Sequence, residues 1–170
     1  MDIRFLWSLQ RYGYATSRSW NEFRRGQSAF LYVGNDLTQL SDETLEIITN
    51  KEIIALNQTN YVYQARRMVD YGDLEVWGKP LIDSMSGEVA VALLNRSNEP
   101  QPINFALEQV GIDASAGFIV KDLWSKKEFN TTTEPNFVHV VPAHGVVVLK
   151  IKGKSIPYNV FQYKDKTDKK

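Results

Sequence analysis

The spacing of apolar residues changes near position 60, and the two halves of the pattern predict different architectures. From Val33 to Gln58 a turn, a helical stretch and a short apolar run follow one another. Gly34-Asn35-Asp36 closes the run Phe30, Leu31, Tyr32, Val33 with residues that tolerate unusual backbone angles. Ser41 reads as a helix N-cap, and Asp42 and Glu43 put negative charge in the first turn, where the helix dipole favours it. Leu45, Ile48 and Thr49 keep helical spacing until Asn50-Lys51 ends it. Glu52 to Asn57 is then nearly continuous in apolar residues, which predicts a strand buried on both faces. Strand, helix, parallel strand is the repeat of a parallel α/β barrel or doubly wound sheet.

Beyond Gln58 the period shortens to two. Tyr63–Val69 and Leu74–Leu81 are rich in aromatic and β-branched residues, with Tyr71-Gly72-Asp73 as a hairpin turn between them. Glu88–Asn95 follows a turn at Ser84-Met85-Ser86-Gly87. A loop over Ser97 to Pro102 precedes the alternating Ile103, Phe105 and Leu107. Gly117–Trp124, Asn136–Val141 and Gly145–Ile151 complete a set of short strands bounded by Gly, Pro or Asn. That arrangement predicts an antiparallel β-sandwich. The expected division is therefore residues 1–60 as parallel α/β, 61–153 as the sandwich, and 154–170 as an extension with a charged tail. Residues 1–27 give no clear pattern.

Composition narrows the function. Twenty basic and twenty acidic side chains cancel, so nothing points to nucleic acid or an anionic membrane as partner. There is no cysteine, which excludes disulfides, thiolate metal sites and a cysteine nucleophile. No apolar run reaches the ~20 residues needed to span a bilayer. Met1 to Trp7 lacks the basic start, apolar core and cleavage site of a signal peptide. The expectation is a soluble, untargeted chain whose compartment the residues leave open.

Several segments also carry a resemblance. GNDL…LSDETLEIITNKEIIALNQ at 34–58, EVWGKPL at 75–81, VAVALLNRS at 89–97, VKDLWSKKEF at 120–129 and VPAHGVVVLKI at 141–151 resemble, in order, glycoside hydrolase family 27, the α-galactosidase (melibiase) and α-N-acetylgalactosaminidase group. The resemblance implies an α+β chain: the last βα units of a TIM barrel over 1–60, then the antiparallel C-terminal sandwich. A TIM barrel typically takes ~250 residues, so about 60 supply only some two of its eight units. The resemblance further implies a parent that hydrolyses terminal α-linked galactosides by the retaining route, without metal or organic cofactor. That route needs two carboxyl groups about 5–5.5 Å apart. In the family these follow the fourth and sixth barrel strands, segments without a counterpart here, so no catalytic residue is assigned and the chain alone is expected to be inactive.

The remaining candidates are few. Asp36 follows an expected strand, where barrel mouths place carboxylates, although a turn aspartate commonly serves its own backbone. Tyr61, Tyr63 and Tyr71 are the candidate sugar-facing aromatics, while Trp77, Phe105, Phe118 and Trp124 fall on strand patterns that suggest core packing. His139 and His144 are too few for a metal site, and His144 is expected to hydrogen-bond within its turn. Asn57, Asn95 and Asn130 match the N-glycosylation pattern, with Asn57 and Asn95 expected at strand ends and Asn130 in a loop. Two alternatives stay open beside a structural sandwich: a stand-alone carbohydrate-binding module, and a truncated product that associates with itself, or with the rest of a barrel, through residues 1–60.

Overall fold

The computed structural model describes residues 41–58, 63, 65–83, 85–131 and 133–161. Helix α1 spans Asp42–Ile48, and the Leu45 amide donates to the Ser41 carbonyl at 2.9 Å. The strand expected at 52–57 is instead helix α2, Lys51–Asn57. Asn50 decides the matter. Its Oδ1 accepts from the amides of Glu52 at 3.1 Å and Ile53 at 3.2 Å, so the residue that stops α1 also caps α2. Ile53 and Leu56, three apart, then share one helical face.

Eight strands follow among the described residues: β1 (Arg66–Asp70), β2 (Leu74–Pro80), β3 (Glu88–Asn95), β4 (Gln101–Ala106), β5 (Ile112–Asp122), β6 (Glu128–Thr131), β7 (Asn136–Val141) and β8 (Val146–Ser155). A 3₁₀ helix, Leu107–Val110, joins β4 to β5. The strands form a six-stranded sheet, β1-β2-β3-β8-β5-β6, and a two-stranded sheet, β4-β7. All of these pairings are antiparallel. The two sheets enclose a core of Val76, Val91, Leu93, Ile103, Phe105, Phe118, Val120, Phe137, Val141, Leu149 and Ile151. Each such side chain contributes roughly 1.5–3 kcal/mol by leaving water.

Several boundaries differ from the pattern. β1 starts at Arg66 rather than Tyr63, β4 takes in Gln101 and Pro102 from the expected loop, and β5 begins at Ile112, before a bulge opposite β8. β6 was not foreseen, and Asn130 lies in it rather than in a loop. Asn57 ends a helix, not a strand. The turn into β3 needs glycine at 87: φ is +73°, and a Cβ there would sit 2.0 Å from the Gly153 carbonyl oxygen.

Candidate functional site

Alternation gives the six-stranded sheet a second face. Val147, Leu149 and Ile151 of β8 point into the core, so Val146, Val148, Lys150 and Lys152 point outward, beside Ala90, Ala92 and Leu94 of β3. The first part of this outer face is apolar. Ile53, Leu123, Val146 and Val148 form a separate buried cluster, joined by Leu56, Ala92, Leu94 and Trp124. Helix α2 thus lies across β3 and β8, its Ile53 and Leu56 packing with Ala92, Leu94, Val146 and Val148.

Polar contacts fix α2 in place. Asn50 Nδ2 donates to the Leu123 carbonyl at 3.0 Å. Glu52 pairs with Lys121 Nζ at 2.9 Å, a hydrogen bond that raises the Lys121 ammonium above its ordinary value. Lys79 Nζ donates to the Leu56 carbonyl in the last turn of α2. Burial of Lys79 pushes its pKa below the usual lysine value. The other half of the face is solvated and ion-paired: Glu88 meets Lys152 at 3.0 Å and Lys150 at 3.3 Å. These pairs, the hydrogen bond to Lys152 foremost, hold the Glu88 carboxyl below its ordinary range.

Among the described residues two carboxylates are buried, and both are fully engaged. Glu75, 3% exposed, accepts from Arg96 at 2.9 Å, Arg67 at 3.2 Å and Trp77 Nε1 at 2.8 Å. Arg96 also reaches the Gly72 carbonyl, and Arg67 reaches Asp70, so the cluster ties the β1–β2 hairpin to the end of β3. Asp122 caps its own turn by accepting from the amides of Trp124 and Ser125 and the Ser125 hydroxyl. Their lone pairs serve architecture, which leaves neither as a general acid or base. Among the described residues no three His, Asp or Glu side chains converge as a metal site.

Of the sugar-facing candidates, Asp36 and Tyr61 lie outside the described residues. Tyr71 is 54% exposed at the tip of the β1–β2 hairpin, whereas Tyr63 is half-buried at the opposite end of β1. The strand separates them. Phe105 and Phe118 are in the core, as expected, but Trp77 and Trp124 are not. Trp77 stands half-buried on the outer face, because its position is in phase with Glu75. Trp124 lies beyond β5 in a turn, half-buried against α2's cluster, and its buried Nε1 has no hydrogen-bond partner among the described residues. His144, with a left-handed backbone (φ 49°), bonds Asn98 in the facing loop at 2.9 Å rather than a group of its own turn. His139 stacks on Phe137 and meets the edge of Phe129.

Sequence reasoning set Asn95 at a strand end, in an N-glycosylation triplet, but missed its role as a hydrogen-bonding hub. The side chain is completely buried at the end of β3. Its Nδ2 donates to the carbonyls of Glu99, Val141 and Pro142, and its Oδ1 accepts from the Ser97 amide and hydroxyl. An asparagine ending a strand before a Ser-containing loop was the available signal.

Residues 71–151 match the family described as the alpha-galactosidase C-terminal beta sandwich domain. Alpha-galactosidase 3 of Arabidopsis thaliana is 37% identical over 118 residues, 67% of this chain and 26% of that protein. Alpha-galactosidase A of Cellvibrio japonicus is 36% identical over 132 residues, 71% of this chain and 31% of that one. The crystal structure of alpha-galactosidase I from Mortierella vinacea superposes with a TM-score of 0.68 at 30% identity, over 75% of this chain and 33% of that chain. The sandwich is an α-galactosidase-type C-terminal domain. The chain belongs, as a C-terminal portion, to glycoside hydrolase family 27, and spans about a third or less of these relatives.

Proposed function

We propose that this chain is the bracing part of an α-galactosidase-type enzyme, with residues 1–60 the end of its barrel, 61–153 the sandwich and 154–170 an extension. The parent would hydrolyse terminal α-linked galactosides by the retaining route, with both catalytic carboxylates on barrel segments outside these 170 residues. What carries the reading is the apolar half of the outer face, covered by α2 from the preceding segment. A sandwich built to work alone would show water that face in polar residues, whereas a brace buries it against the structure it supports. The engaged state of Glu75 and Asp122 supports the same conclusion.

The test is release of nitrophenol from a nitrophenyl α-galactoside by the purified 170-residue chain, with calorimetric titration of galactose beside it. No turnover and no heat of binding are expected. Turnover abolished by Asp36→Asn would place chemistry in this chain and overturn the reading. Saturable galactose binding lost in Tyr71→Ala would make the sandwich a binding module instead.

A further inference from the structure

The sheet ladder ends at Ser155, paired with Ile112, yet the chain does not leave the molecule there. Ile156 is buried and its amide reaches the Gly111 carbonyl at 3.2 Å. Pro157 and Tyr158 turn outward to solvent. Phe161 then re-enters the core with no exposed surface. Its ring lies against two glycines from different elements. A Cβ on Gly78 of β2 would stand 3.0 Å from Phe161 Cε1 and 3.0 Å from Met68 Cγ; one on Gly111 would stand 3.3 Å from Phe161 Cε2 and 3.3 Å from Val160 Cγ2. Alanine at either position would crowd the ring, so the socket is shaped by the absence of side chains.

We propose that residues 156–161 form a detachable strap, in which Phe161 plugs a glycine-walled socket at the end of the sandwich and can leave it while the sheets stay folded. Pro157 has no amide to extend the β8 ladder. Among the described residues the Ile156 amide donates to the Gly111 carbonyl, and the Phe161 amide donates to the strap's own Asn159 Oδ1 at 2.8 Å. Segments held by side chains rather than by a ladder open below the free energy of global unfolding. Opening would bare an aromatic-sized apolar socket bordered by Met68, Gly78 and Gly111, whose occupant is the strap's own Phe161.

The test uses the full chain and its Phe161→Ala and Phe161→Leu variants, digested briefly with chymotrypsin under native conditions, with cutting after the exposed Tyr158 followed by mass spectrometry. Amide exchange of β3 and β8 is measured in parallel. Phe161→Ala should raise cutting at Tyr158 on the order of a hundredfold, from the usual cost of emptying a phenylalanine site, with β3 and β8 exchange unchanged and Phe161→Leu intermediate. Cutting that rises only together with β3 and β8 exchange would make Phe161 an ordinary core residue, and unchanged cutting would show that the ring does not hold the segment. Either result overturns the strap.

Discussion

Asn95→Ala tests most directly what holds the sandwich's loop end together. The substitution removes five hydrogen bonds, but their loss is uneven. Glu99's carbonyl keeps the Ser97 hydroxyl at 3.0 Å and Pro142's keeps the Gly145 amide at 3.0 Å. The Ser97 amide, by contrast, loses the acceptor it has at 2.9 Å. With about 1 kcal/mol for a net bond and about 1–3 for an orphaned buried group, the expected loss is about 2–4 kcal/mol. For a domain of this size that lowers Tm by roughly 10–20 °C. Ser97→Ala spares the amide and should cost about 1 kcal/mol. Urea unfolding followed by tryptophan fluorescence measures both. An Asn95→Ala loss below that of Ser97→Ala would refute the accounting, since the hub would then be worth less than one spoke. The same geometry closes the Asn95-Arg96-Ser97 acceptor to modification. Mass spectrometry of folded protein from a glycosylating host should find Asn95 bare, and a glycan there would contradict its burial.

Two further predictions concern the outer face. Ile53→Ala should speed amide exchange in α2 at least about tenfold, because removing a buried isoleucine costs about 2–5 kcal/mol and a seven-residue helix has little stability of its own; equal acceleration in β3 and β8 would show that α2 and the sandwich are one cooperative unit. Glu88→Gln probes the ion-paired half. Since the folded-state carboxyl lies below its ordinary 4.5, its contribution is present above that pH and is lost as pH falls through the folded value. The variant should be about 0.5 kcal/mol less stable at pH 7 and equal to the parent in strong acid. A difference that does not vary with pH would point to packing rather than charge.

The sandwich was legible because its strands announce themselves. β3 and β7 have the bounds that Glu88–Asn95 and Asn136–Val141 predict, since each is an apolar-rich run bounded by turn residues. β6 was not, because Glu-Phe-Asn-Thr offers a single apolar residue and forms only along β5's edge. The helix α2 was misread because four apolar residues in a row suit either a buried strand or a short helix. Only Asn50's cap and the waiting sheet choose between them. Trp77 shows a different limit: alternation says that a residue faces a side of the sheet, not which side is the core, and Trp124 lies past the end of β5, where alternation no longer applies. Asn95's pattern looked like a modification site because sequence shows the triplet but not the three carbonyls converging on it.

The outer face also explains why an antiparallel sheet carries a run such as Val146-Val147-Val148-Leu149, buried on both sides. One-sided sheets alternate, and β8 does so only from Lys150 onward, where Lys150 and Lys152 meet Glu88 in solvent. The change of pattern within a single strand therefore maps an edge: apolar where α2 lies, ionic beyond it. Extending that edge across the sheet, Lys79 and Lys121 flank the covered area on β2 and β5, each reaching back to α2 with its charged end. A footprint written into three strands and closed by lysines at both sides is a property of the sheet itself. It binds α2 to the sandwich across the point where the sequence periodicity changes.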